Sequence, residues 1–146
     1  FCVLHRKGAG GMVRPDMKHA IQLIVRSYEC DSNGHVNHAV YVNYLEHARV
    51  EFLRAGGFDY TALGEAGFGM VIARLEIAYH LPAYAGDALT IESEPIETRR
   101  ASGSFRQAIH RGETVLAEAK VTWCVVDRQG RPARLPPEFD LRSLGG

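Results

Sequence analysis

The sequence predicts an α+β domain: a curved antiparallel β-sheet of about five strands wrapped around one long α-helix. Three observations carry this reading. A single apolar stripe of helical period runs from Tyr41 to Ala55, and no other segment repeats it at that length. One segment of alternating polarity precedes it and four follow in succession. A sheet with one apolar face must bury that face, and one long helix is its simplest cover.

The first strand is expected over Ala20–Tyr28, with Ile21, Leu23 and Val25 on one face and Gln22, Arg26 and Tyr28 on the other. Asp31-Ser32-Asn33-Gly34 has the composition of a tight turn and ends it. The helix is expected from about His38 to Ala55. Tyr41, Leu45, Ala48, Phe52 and Ala55 draw its buried stripe, Asn37 suits its N-cap, and Gly56-Gly57 its end. Phe58 to Gly67 reads as a connector with room for a short helical turn. Met70–Leu81 alternates Val71, Ala73, Leu75, Ile77 and Tyr79 against Arg74, Glu76 and His80. Pro82–Asp87 is a turn, and Leu89–Arg99, Ser104–His110 and Val115–Val126 complete the strands. In the last of these Val115, Ala117, Ala119, Val121, Trp123 and Val125 share a face. The domain is therefore expected over residues 20–127. Residues 1–19 read as an N-terminal extension, a tag or disordered, with Met12 or Met17 as initiators; residues 128–146 read as a surface tail.

Bulk properties narrow the function classes. The chain has 146 residues, 46% hydrophobic and 23% charged, which fits one ordinary domain. Seventeen basic residues balance seventeen acidic ones, which argues against nucleic acid as a partner. No apolar run approaches the roughly 20 residues that span a bilayer, so no membrane insertion is expected. Cys2, Cys30 and Cys124 stand far apart and read as reduced thiols, hence a cytoplasmic location.

The chemistry concentrates between the first strand and the helix, in Asp31-Ser32-Asn33-Gly34-His35-Val36-Asn37-His38-Ala39. A helix N-terminus presents unpaired N–H groups and positive potential. A carboxylate one turn upstream supplies a base or nucleophile, and the N–H groups of His38 and Ala39 supply a clamp for a developing oxyanion. Hydrolysis of an activated acyl group needs those two parts.

The string D-x-x-G-H-V-N-H-A-x-Y-x-x-Y-L-E-x-A-R, residues 31 to 49, resembles the signature of thioesterases related to 4-hydroxybenzoyl-CoA thioesterase. The order of elements and the Leu81-Pro82-Ala83-Tyr84-Ala85-Gly86-Asp87 turn are similar too. The resemblance implies a hotdog fold, hydrolysis of an acyl-CoA thioester to free acid and CoA, and no cofactor or metal. It implies Asp31 as the catalytic carboxylate and the His38 N–H as donor to the thioester carbonyl. A histidine at position 38, which members resembling the tol–pal-cluster enzymes carry, implies a further role for the His38 side chain. Members closer to long-chain acyl-CoA thioesterases read H-V-N-N instead, and this chain mixes the two patterns. Gly34, His35, Asn37, Ala39 and Tyr41 complete the expected substrate-binding set. The resemblance also implies a homodimer, or a homotetramer, with the site at the subunit interface; the unpaired edges of a five-stranded sheet argue the same way.

Blander readings stand beside these. Asp31 is also a good turn residue, Asn37 a good cap, and His35 a plausible structural partner within the turn. Asp31, His35 and His38 could ligate a metal, but no fourth ligand is apparent. Cys30 could be a nucleophile, yet strand alternation points it away from Asp31. Tyr41 and Tyr44 suit a core, and Glu46 with Arg49 a surface ion pair. Arg99, Arg100 and Ser102 could meet the phosphates of CoA or lie on a solvated turn. Two rival functions remain. A hydratase of this fold would present D-x-N-P-x-H, and the run Asp31 to His35 is one residue shorter and lacks the proline. An acyl-CoA sensor would be expected to carry an added DNA-binding segment, and Asp31 favours catalysis.

Overall fold

A computed structural model describes residues 18–139 and 141. The elements are β1 (His19–Ile24), α1 (His38–Ala55), α2 (Tyr60–Glu65), β2 (Phe68–Tyr79), β3 (Ala88–Thr98), β4 (Ser102–Arg111) and β5 (Thr114–Asp127). All strand pairs are antiparallel and the sheet order is β1-β3-β4-β5-β2, so β1 and β2 are the two edges. The 146-residue sequence thus yields the expected five strands and one long helix, with residues 1–17 outside the described part.

The helix keeps its expected bounds because both ends are chemically marked. Asn37 Oδ1 accepts the Ala39 N–H at 2.9 Å, and the Gly56 N–H closes the last turn on Phe52 and Leu53. Tyr41, Leu45, Ala48 and Phe52 are buried as the stripe requires, but Ala55 is exposed and Leu53 fills that place. The N-terminal half of α1 packs on Leu89, Ile91, Ile109, Ala117 and Val121; the C-terminal half packs on Phe105, Trp123 and Val125. Between these two clusters lies a buried polar network. Arg49 donates to Gln107 Oε1 at 2.8 Å, and Gln107 Nε2 donates to the Leu45 carbonyl and to Ser93 Oγ. Arg49, expected in a surface ion pair with Glu46, is instead only 9% exposed and tied to the sheet.

Four other expectations change. The first strand stops at Ile24, because Arg26 N–H bonds to Glu29 Oε1 and Glu29 N–H to the Arg26 carbonyl, folding 27–29 into a 3-10 turn. On β2 the alternation breaks at a register shift between Ile72 and Arg74. Phe68 and Met70 therefore face the core before it and Leu75 and Ile77 after it, leaving Val71 and Ala73 exposed. A second shift, between Ile109 and His110, lets Leu116 bury beside Ala117. Finally, the expected surface tail is only partly one: residues 128–132 are exposed, but the stretch beyond them packs on the core. Pro132 bridges Val126, Ala133 N–H bonds to Val125, and Leu135 and Leu141 are 1% exposed in the Phe52–Trp123 cluster. Leu135, Phe139 and Leu141 close an end of the core that the sheet and α1 leave open.

Gly103 marks the tightest approach in this region. A Cβ there would lie 2.5 Å from the Glu97 carbonyl oxygen and 2.7 Å from Trp123 Cε2. Gly103→Ala is expected to destabilise the fold by about 1–3 kcal/mol through overpacking, read as a lower denaturant midpoint. An unchanged midpoint would show that the Trp123 ring can move aside.

Candidate active site

The segment from Cys30 to Asn37 is held by its own backbone. Asp31 N–H donates to the His35 carbonyl at 2.9 Å and Gly34 N–H returns to the Asp31 carbonyl at 3.0 Å. Gly34 sits at φ +83°, which a residue with a Cβ adopts at a cost. Asn33 N–H donates to Asp31 Oδ1 at 2.8 Å, so one carboxylate oxygen is committed to the turn. The other, Oδ2, lies 3.9 Å from His35 Nδ1, beyond hydrogen-bond reach. The Val36 N–H bonds to the Ala83 carbonyl, and the Ala83 N–H to Tyr41 Oη at 3.1 Å. These two bonds pin the Asp31 loop and the start of α1 to the turn between β2 and β3.

That turn is itself rigidly held. Asp87 Oδ2 accepts from the Tyr84 N–H at 2.9 Å and from Arg111 at 2.8 Å, and Arg111 also donates to the Pro82 carbonyl. The Tyr84 N–H, helped by the Arg111 guanidinium, keeps the Asp87 carboxyl below the usual carboxylate range.

Asp31, His35, His38, Tyr41, Tyr79 and Pro82 line one open cleft of about 430 Å³. The side chain of Asp31 is 21% exposed, accessible without being fully solvated. Of the two expected backbone donors, only one is free. The Ala39 N–H is bound by Asn37 Oδ1, whereas the His38 N–H, first in the helix, has no acceptor among the described residues. Ala39 is thus corrected from oxyanion donor to capped residue, and Asn37 acts as the cap. Gly34 shapes the loop but does not line the cleft. Tyr41 is buried, and desolvation raises its pKa, so it meets the cleft as a neutral phenol.

Sequence reasoning missed Tyr79 and His80. Tyr79 Oη donates to the His38 carbonyl at 2.7 Å and its ring meets Tyr41 edge-on, so β2 helps to fix the first turn of α1. His80, whose Nε2 lies in hydrogen-bond contact with Glu118 Oε2 at 3.0 Å, lines the same cleft. The alternation of β2 could place Tyr79 on a face but not beside the helix end. Cys30 does not line the cleft, and among the described residues no three His, Cys, Asp or Glu side chains are grouped to hold a metal. Arg99 pairs with Glu97, and Arg100 donates to the Leu135 carbonyl. Both follow the end of β3 whose start adjoins the cleft. An 11-residue strand puts them roughly 35 Å away along it, so one chain does not bring them to Asp31.

Comparison with known proteins agrees with this architecture. The family profile of the thioesterase-like superfamily matches residues 25–142. The acyl-CoA thioester hydrolase YbgC of Escherichia coli is 37% identical over 116 residues, covering 77% of this chain and 87% of that protein. The acyl-acyl carrier protein thioesterase ATL3 of Arabidopsis thaliana is 33% identical, covering 89% of this chain and 68% of its own. A crystal structure of a probable thioesterase from Bartonella henselae superimposes with a TM-score of 0.77 at 34% identity, over 82% of this chain and 99% of that one. This chain belongs to the thioesterase-like superfamily and has its hotdog fold. Its activity class is thioester hydrolysis.

Proposed function

We propose that the protein is an acyl-CoA thioesterase in which Asp31 attacks the thioester carbonyl or activates a water against it. The observation that carries the reading is the cleft itself: the partly exposed carboxylate of Asp31 lines it together with His38, whose helix N-terminal N–H has no acceptor among the described residues. The His38 N–H would polarise the carbonyl oxygen as it becomes an oxyanion. Thiolate is a good leaving group, so no strong general acid is required. The His38 imidazole, exposed at the same mouth, would position water or carry a proton. Tyr79 and Tyr41 hold the helix end and the facing turn at a fixed separation. No helix among the described residues is long and apolar enough to cross a membrane; a cytoplasmic location is part of this proposal.

The working unit of this proposal is a homodimer, able to pair again into a tetramer. Edge strand β2 has 12 residues, with Val71 42% and Ile72 49% exposed, whereas the opposite edge strand has only six. Pairing two β2 strands about a two-fold axis would cover that apolar edge. Antiparallel pairing would also bring the end of the second sheet that bears Arg99 and Arg100 to the same end as Asp31. Purified protein given a panel of acyl-CoAs should release free thiol, and activity should fall in step with dissociation across a dilution series. Absence of thiol release from every acyl-CoA would refute the function. A fully active monomer would refute the shared site alone.

A further inference from the structure

Thioester hydrolysis asks for more than the backbone of this cleft supplies. As an Asp31 oxygen or a water attacks the carbonyl carbon, the electron pair of the C=O bond moves onto the oxygen. That pair returns when the C–S bond breaks and CoA leaves as thiolate. Between these events the oxyanion is stabilised by donors already aimed at it, from the backbone or from side chains. Asn37 occupies two N–H groups of the first turn, that of Ala39 through Oδ1 and that of Val40 through its carbonyl. Only the His38 N–H is left.

Tyr41 stands three residues after His38, on the same face of α1. Long helical side chains lean toward the N-terminus, which carries its phenol back over the first turn. The residue is 3% exposed and lines the cleft together with Asp31 and His38. Its Oη accepts the Ala83 N–H at 3.1 Å, and the Ala83 carbonyl accepts the Val36 N–H, two residues before His38. The hydroxyl is thereby anchored beside the loop that enters the helix. The rings of Tyr44 and Tyr79 meet the Tyr41 ring edge-on and hold its plane. A phenol can donate one O–H as well as accept. Tyr79 commits its O–H to the His38 carbonyl, whereas the O–H of Tyr41 has no acceptor among the described residues. Burial raises the Tyr41 pKa and keeps the phenol protonated, while the Ala83 N–H pulls the other way and polarises the O–H.

We propose that Tyr41 is a further catalytic residue, its O–H joining the His38 N–H as a second donor to the thioester oxygen. The inference rests on the thioesterase reading and adds no proton transfer to it, since the phenol keeps its hydrogen throughout. A donor fixed by Ala83 before the reaction needs no reorganisation when charge develops.

Tyr41→Phe should lower kcat about a hundredfold, the lower range for one oxyanion donor, with KM little changed. The same substitution strips the Ala83 N–H of its acceptor, so some loss of stability is expected and a second readout is required. Two analogues that cannot be hydrolysed supply it, both carrying the acyl chain that the panel shows to be released fastest. One is a ketone, with a methylene in place of sulfur; the other is an S-alkyl-CoA thioether, which has no carbonyl oxygen. In Tyr41→Phe the ketone should lose roughly three- to tenfold more affinity than the thioether, the worth of one neutral hydrogen bond. A purely structural Tyr41 would weaken both alike. Near-normal kcat, or equal losses for the two analogues, would overturn the proposal. Should Tyr41→Phe fail to fold, a fluorinated tyrosine at position 41 keeps the ring and the Ala83 acceptor but donates more strongly. It should tighten the ketone relative to the thioether, and an unchanged ratio would overturn the proposal equally. Absence of thiol release by the unaltered protein is failure of the thioesterase reading. Release that survives in Tyr41→Phe but not in Asp31→Asn is failure of the Tyr41 assignment alone.

Discussion

Asp31→Asn is expected to lower kcat for acyl-CoA hydrolysis at least about a hundredfold, the lower range for deleting a general base, with little change in fold or in substrate binding. The amide keeps the shape of the carboxylate. Its oxygen can still accept the Asn33 N–H, the bond by which Oδ1 closes the turn at 2.8 Å. The backbone pairs Asp31–His35 and Gly34–Asp31 do not depend on the side chain. What the substitution removes is the negative charge and basicity at Oδ2, the oxygen not bound within the turn. A purely structural Asp31 would show the opposite pattern, a lower melting temperature with activity retained by the folded fraction. Near-normal turnover in Asp31→Asn would end the assignment.

How far the sequence disclosed the molecule depended on whether the deciding contact was local. The bounds of α1 were legible because Asn37 and Gly56 mark its ends within a few residues of themselves. So was the loop at Asp31, whose turn chemistry is contained in five consecutive residues. The phase of β2 was not, since the shift at Ala73 is set by pairing with Trp123 and Thr122, some 50 positions away. Arg49 looked like a surface residue because its helix neighbour Glu46 was visible and Gln107, 58 positions on, was not. The C-terminal stretch was read from its prolines and charges, whereas Leu135 and Leu141 are placed by the open end of the core they fill.

The site divides in the same way. Asp31, His35 and His38 come together because one short loop and the first residue of the helix it enters carry all three, and a linear motif can show that. Tyr79 arrives from the end of β2, and His80 and Ala83 from the turn after it, through bonds that only the folded sheet creates. The Ala39 correction has a subtler cause. A cap and an oxyanion donor compete for the same few N–H groups, and in D-x-x-G-H-V-N-H-A the Asn37 side chain takes one of them. The single N–H left over is that of His38, which concentrates the electrophilic role on one backbone atom.

That concentration allows a backbone test. His38→Ala deletes the imidazole and keeps the N–H; His38→Pro deletes both. Proline is well suited to the first helical position, where its missing N–H and fixed φ are tolerated. Asn37, at φ −58° and ψ 137°, is already in the extended region that a following proline requires. The cap from Asn37 Oδ1 to Ala39 and the bond from Tyr79 Oη to the His38 carbonyl can both persist. Both variants are therefore expected to melt near the unaltered protein. In activity they should part. The alanine variant should lose less than Asp31→Asn, while the proline variant should lose about 10²–10³ in kcat, the usual cost of one oxyanion donor. Activity in the proline variant equal to that of the alanine variant, with both well above Asp31→Asn, would remove the His38 N–H from the mechanism. An alanine variant as inactive as the proline one would instead make the imidazole a chemical participant, since the two share only its loss.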